Sequence, residues 1–273
     1  MTNNRRAMLY CGDAEHLPYP DKSVDLVFGS PPYTDARKLA GMTVYKCEQW
    51  IEWMLRVTKE ACRVSRGLVV WVVAGNSRKW KYQPAPEGLL YRWYAQGGVA
   101  WCPAYWYASA RNIGSGGPQW LRRDVEYCLA FTDKQGPIPF ADNKANGAPC
   151  VYKPGGEFSN REQSGKRTNE GKKGKKAYTP PKIANPGNLL HINVGGGHLG
   201  SELAHKNEAP FPESLADFFI KHLVPPNGVV CDPFVGSGTT IISALKNGRR
   251  AIGVDIRQSQ IDLCQERLAK YGT

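Results

Sequence analysis

Apolar positions along the chain fall into two patterns, unbroken short runs and runs spaced by three or four. AMLYC (7–11) and VDLVFG (24–29) read as short buried strands bounded by Gly, Asp or Pro, and LVVWVVA (68–74) is a continuous apolar run. A run apolar at every position predicts a strand covered on both faces. Between Val44 and Val64, the residues Trp50, Trp53, Met54, Val57, Ala61 and Val64 recur at helical spacing and predict one helix face. EGLLYRWYAQGG (87–98) predicts a second, shorter helix stopped by glycine, and GVAWCPAYWYAS (98–109) and DVEYCLAFTD (124–133) predict two more strands.

After Asp133 the pattern lapses. Residues 134–210 are rich in Gly, Pro, Asn and Lys and carry almost no helical periodicity. Order resumes with the amphipathic PFPESLADFFIKHL (210–223), followed by a strand GVVCD (228–232), a Gly-rich turn and the helix TTIISALKNG (239–248). A strand RAIGVDI (250–256) and a closing helix QSQIDLCQERLAKY (258–271) complete the chain. Such alternation predicts an α/β fold, a parallel sheet with helices on both faces. The expected organisation is one domain in two halves, 1–133 and 206–273, with an irregular basic insert at 134–205.

Composition narrows the picture. At 41% hydrophobic residues the 273-residue chain can bury a core. No apolar run of about 18 residues is present, which excludes a membrane-spanning helix, and the first residues lack the apolar stretch of a signal peptide. The eight cysteines form no CxxC pair; several lie in apolar runs, where reduced thiols and a cytoplasmic location are expected. A net charge of +12 favours a polyanionic partner. Half of that excess lies in Lys153–Lys182, where nine Lys or Arg face three Glu.

Candidate chemistry sits at two strand ends. DPFVGSGTT (232–240) joins a strand to a helix, where open α/β sheets bind ligands. Gly236 and Gly238 permit close backbone approach, and Thr239 and Thr240 stand at the helix start. No Lys follows Gly238, so this is not a phosphate-binding P-loop, and no third glycine completes a dinucleotide fingerprint. Asp255, at the next strand end and 23 positions beyond Asp232, is placed to accept hydrogen bonds from ribose hydroxyls. Together they describe an adenosine pocket without a pyrophosphate.

The second strand end is Gly29-Ser30-Pro31-Pro32-Tyr33. Two prolines hold a rigid turn and donate no N–H, which leaves the Pro31 carbonyl and the Ser30 side chain as acceptors. A base amine is a poor nucleophile because its lone pair is delocalised into the ring. Two acceptors binding its hydrogens out of plane would free that pair, and Tyr33 offers a face for a base taken out of the helix.

SPPY together with DPFVGSGTT resembles the amino-methyltransferases of DNA, which pair a [DNS]PP[YFW] catalytic turn with a DxFxGxG cofactor turn. The catalytic turn comes first here with the Lys-rich stretch between, similar to the family's β arrangement. The resemblance implies a Rossmann-like methyltransferase sheet, S-adenosyl-L-methionine as cofactor and double-stranded DNA as partner, with no metal. It assigns Ser30, Pro31, Pro32 and Tyr33 to catalysis, and Asp232, Pro233, Phe234, Gly236, Ser237, Gly238, Thr239, Thr240 and Asp255 to the cofactor. It adds Asp13, in a segment that approaches the cofactor, and Phe211, Pro212, Glu213 and Ser214 from the [FY]P-containing segment. His205 stands four before Ala209, where family members often carry His two before it, which leaves the polar part of that contact open. Pairing of two copies and a cognate restriction endonuclease, a partner in function and not in contact, are compatible with the family; no interface signature is visible.

Within the family SPP[YFW] accompanies N4 of cytosine and DPP[YFW] accompanies N6 of adenine, so Ser30 favours cytosine and leaves adenine as the alternative. A DNA-binding protein of the same fold without activity, and a methyltransferase of RNA, are the competing readings; intact Ser30, Tyr33, Asp232 and Asp255 speak against the first. Pro149-Cys150 has the dipeptide of a C5-cytosine nucleophile but lies in the polar middle segment. For the DNA face the candidates are Arg122, Arg123, Lys172, Lys173, Lys175 and Lys176, with Trp80 and Trp120 as stacking residues. Trp50, Trp53, Trp71 and Trp106 are expected in the core.

Overall fold

The computed structural model describes residues 6–34, 45–108, 123–150, 160–161, 164–165, 167–168, 181–194, 202–206 and 210–272. Eight strands form one sheet: β1 (Ala7–Cys11), β2 (Val24–Gly29), β3 (Ser65–Val73), β4 (Val99–Ala108), β5 (Val125–Thr132), β6 (Leu189–Ile192), β7 (Val229–Asp232) and β8 (Arg250–Asp255). Their order across the sheet is β1-β8-β7-β2-β3-β5-β4-β6. The pairs from β1 to β3 are all parallel, with Cys11 opposite Asp255, Asp232 opposite Gly253 and Gly29 opposite Trp71. This register brings the carboxyl ends that carry both turns to one edge.

Strand β5 departs from the expected parallel arrangement. It runs antiparallel to both β3 and β4. Parallel neighbours need a long crossover, usually a helix, and no helix-period segment separates the sequences of β4 and β5. The segment read as irregular also supplies a strand, for β6 pairs in parallel with β4 and Trp106 Nε1 donates to the Ile192 carbonyl at 2.9 Å.

Helices α1 (Cys47–Val64) and α2 (Ala85–Ala95) cover one face of the sheet; α3 (Glu213–Leu223), α4 (Thr239–Lys246) and α5 (Gln258–Tyr271) cover the other. In β3 the side chains divide in strict alternation, Val69, Trp71 and Val73 to the first core and Leu68, Val70 and Val72 to the second. Two covered faces are why the run reads as unbroken apolar. On α1 the six residues predicted to share a face are all buried, as are Trp71 and Trp106. Four cysteines, 62, 128, 231 and 264, are buried as free thiols, and burial pushes the Cys62 thiol up to about 12. No helix among the described residues is long and apolar enough to cross a membrane.

The chain divides into two compact units, 1–142 with 187–273 and a smaller one at 143–186. Within the smaller unit Ala148–Pro149 pairs with Ile183–Ala184 and Asn160–Arg161 with Arg167–Thr168, both antiparallel. Lys144 Nζ ties that unit's ends together by donating to the Ile183 carbonyl and to Asn185 Oδ1, each at 2.7 Å.

Candidate active site

The turn after β7 is shaped by its own first residue. Asp232 Oδ1 accepts the Phe234 N–H at 2.9 Å and Oδ2 accepts the Thr240 hydroxyl at 2.5 Å, so one carboxylate ties both ends of the turn. Gly238 caps α4 at φ 83°, and a side chain there would run into the Cys264 sulfur. Asp255 closes the other side, accepting the Gly236 N–H at 3.1 Å and the Arg257 N–H at 3.0 Å. Burial pushes Asp232 up to about 7, with the nearby Asp255 adding to the shift. Burial likewise raises Asp255, against the hydrogen bonds of Arg257 and Gly236. Arg257 Nε stands 3.7 Å from Asp255, and Asp232 lies buried beside them, so a further cation would ease the cost of ionising both carboxylates.

Arg267, on α5, underpins this turn. It is 3% exposed and donates to the Ser237 carbonyl at 3.2 Å, to Thr239 Oγ1 at 3.0 Å and to Glu213 Oε1 at 2.7 Å. The second oxygen of Glu213 takes Lys246. Thus Glu213 joins the N-terminus of α3 to α4 and α5, with both carboxylate oxygens engaged inside the protein. Ser214 is exposed beside it, Pro212 is buried, and Phe211 is buried edge-on against Phe28 at 5.5 Å between ring centres. Pro233 is buried, and Phe234 packs edge-on against Trp53 and Trp71, each at 5.7 Å. Asp13 is exposed after β1, its Oδ1 accepting the Glu15 N–H at 2.9 Å, and the neighbouring Gly12 N–H donates to the Asp255 carbonyl at 3.0 Å.

The turn after β2 touches the first one. A Cβ on Gly29 would lie 2.5 Å from Asp232 Oδ1, so glycine is required for the two strand ends to approach. Four hydrogen bonds then hold residues 30–34. Ser30 Oγ donates to the Val72 carbonyl at 3.0 Å, and Trp50 Nε1 donates to the Pro32 carbonyl at 2.6 Å. The Tyr33 hydroxyl donates to Glu126 Oε2 at 2.5 Å, and Asn76 Nδ2 to the Thr34 carbonyl at 2.7 Å. Ser30 Oγ also lies within hydrogen-bonding reach of Tyr33, and with its proton given to Val72 it keeps lone-pair capacity to accept. Burial, and then the charge of Glu126, push the Tyr33 phenol well above its ordinary value and keep it protonated.

Of the residues expected at the DNA face, Arg123 donates to the Gly75 carbonyl at 2.5 Å and lies 3.7 Å from Glu126. Trp80 is 82% exposed. Arg122, Trp120, Lys172, Lys173, Lys175 and Lys176 lie outside the described residues. Sequence reasoning did not find Trp50, Asn76, Glu126 or Arg267 as supports. Only Glu126 left a trace, an acid at the apolar start of VEYCLAFT.

An acceptor turn set against a nucleoside-type turn on this sheet defines the methyltransferase class. Residues 24–266 match the family model for DNA methylases (N6_N4_Mtase), and the chain belongs to that family. It is 27% identical over 274 residues to the type II methyltransferase M.ScaI of Streptomyces caespitosus, covering 96% of this chain and 81% of that protein. Among solved structures, the cytosine-N4-specific PvuII DNA methyltransferase superposes with a TM-score of 0.69 at 20% identity, over 96% of this chain and 86% of that one. TTHA0409 of Thermus thermophilus, solved in complex with S-adenosyl-L-methionine, gives 0.60 at 24% identity, over 96% and 93%. The chain is a DNA methyltransferase of the N4/N6 family on the Rossmann-like sheet expected from its sequence.

Proposed function

We propose that the protein methylates N4 of cytosine in duplex DNA, on a base drawn out of the helix, with S-adenosyl-L-methionine as donor. The observation that carries the choice of base is Ser30, an uncharged acceptor whose proton is committed to Val72 at 3.0 Å. The PvuII enzyme, whose name specifies cytosine N4, supports the same reading through its shared fold.

The residues fit the cofactor. Asp232 and Asp255 are carboxylates raised by burial, and a cationic ligand with ribose hydroxyls would relieve that cost. Asp255 would hold the ribose and residues 232–240 the methionine end, with Phe211, Pro212, Ser214 and Asp13 as further contacts. Glu213 acts through Arg267. When bound, S-adenosyl-L-methionine supplies a methyl group made electrophilic by a positive sulfur.

Ser30 Oγ and the Pro31 carbonyl accept the two hydrogens of the target amine and turn its lone pair toward the methyl carbon. Pro32 shapes the turn, and its carbonyl is occupied by Trp50. The Tyr33 ring stacks on the base while its hydroxyl, held by Glu126, fixes the ring plane. Positioning supplies the rate, as in other transfers where the protein forms no covalent bond. The insert at 134–205 reads the target, its Lys172–Lys176 stretch contributing phosphate contacts and a salt-dependent affinity.

Digestion of unmodified duplex DNA to nucleosides after incubation with cofactor tests the base. N4-methylcytosine is the expected product; N6-methyladenine alone would replace cytosine by adenine.

A further inference from the structure

Between β3 and α2 the chain makes a two-stranded hairpin, Asn76–Arg78 against Lys81–Gln83, closed by Lys79 and Trp80. Both closing residues have positive φ, 49° and 64°. A two-residue hairpin of this kind asks for Asn-Gly or Gly-Gly, yet here it carries a lysine and a tryptophan. Trp80 is 82% exposed, more than any other large apolar side chain among the described residues. In sequence it is flanked by Arg78, Lys79 and Lys81, with no acid. An aromatic residue held out in a costly backbone conformation among cations is placed for an external partner.

The hairpin is also fastened to the catalytic turn. Asn76, its first residue, is the donor to the Thr34 carbonyl at 2.7 Å. Arg123 holds the preceding Gly75 carbonyl, and the Tyr82 hydroxyl donates to Glu87 at 2.7 Å. Three strand residues at about 3.4 Å each set the tip roughly 10 Å from that anchor. That is too far to share the base at Tyr33, and close to the roughly 12 Å width of a duplex major groove.

From this juxtaposition we propose that the hairpin is a DNA wedge: Trp80 enters the base stack beside the target and fills the space the extruded nucleotide leaves, while Lys79 and Lys81 meet the flanking phosphates. The proposal rests on the base-extrusion reading above. An indole offers a flat face that any base accepts, so the wedge adds no sequence preference. Apolar side chains inserted between base steps are a general means of unstacking a duplex.

The test compares the full chain with Trp80→Ala and Trp80→Phe, measuring methyl transfer to unmodified duplex DNA, cofactor affinity and tryptophan emission. Trp80→Ala should slow transfer roughly 10- to 100-fold with cofactor affinity unchanged, and Trp80→Phe should recover most of the rate. The emission present in the unsubstituted protein and missing from Trp80→Phe should be quenched by duplex DNA and shielded from iodide. Undiminished transfer by Trp80→Ala overturns the wedge alone, as does emission that duplex DNA leaves unchanged. Weakened cofactor binding in Trp80→Ala would make the residue structural and also overturn it. No transfer by the unsubstituted protein would remove the underlying function, and the wedge with it.

Discussion

The two turns at the sheet edge are held in opposite ways. Residues 232–240 are tied mostly within themselves and to the next strand and helix, through Asp232, Asp255 and Arg267. Residues 30–34 are tied mainly to distant parts of the described chain: Trp50, Val72, Asn76 and Glu126. The first turn also concentrates buried negative charge, whereas the second presents neutral acceptors and a phenol kept protonated. The contrast fits the tasks proposed for them: a cationic cofactor would be met by charge, and a neutral amine by fixed lone pairs, whose direction needs support from several sides.

Removing one anchor at a time separates the two turns. The largest effect is expected from Arg267→Met, which leaves Glu213 buried beside Lys246 alone and frees the Ser237 and Thr239 contacts. Breaking such a pair costs about 3–5 kcal/mol, read as a fall in the denaturant midpoint with weaker cofactor binding; an unchanged midpoint would show that the turn supports itself.

Ser30→Ala comes next. It should lower the rate of methyl transfer on the order of 10²- to 10³-fold while cofactor affinity, measured by calorimetry, stays at the native value. Loss of both together would mean that the turns are not separable.

Gly29→Ala probes where they touch. A methyl 2.5 Å from Asp232 Oδ1 must push the strand ends apart, at about 1–3 kcal/mol. Unlike Ser30→Ala, it should weaken cofactor binding and transfer alike.

The last test is electrostatic. Asp232 titrates near 7 in the folded chain against an ordinary 3.8. Below 3.8 the folded and unfolded chains both hold the proton; between the two values only the folded chain does. The stability this confers is therefore present at low pH and lost as pH rises through about 7. On the proposed reading the cofactor favours the carboxylate form of Asp232, so the rise in melting temperature on adding cofactor should grow across the same interval. Asp232→Asn should flatten both trends, and a variant that keeps the native slopes would assign them to other groups.

Much of this was legible without a structure. All six α1 positions chosen by spacing are buried, and the strands carrying both turns fall where their apolar runs end. What escaped notice was short or remote. Strand β6 buries only Leu190 of its four residues, too little to stand out in a Gly- and Pro-rich stretch. The hairpin at Asn76–Gln83 lacks the usual turn glycine and left no signal.

The sequence by itself determined which residues can accept, cap or bend, because those properties belong to a side chain and its immediate neighbours. It therefore offered Ser30, Tyr33, Asp232, Asp255, Gly236 and Gly238 as candidates. Only the tertiary structure decided what holds them. Strand order and register bring Glu126 to Tyr33 and Asn76 to Thr34 across separations of 93 and 42 residues. Contacts that distant have no periodicity in the chain; they exist only once two covered faces have set the sheet in one register.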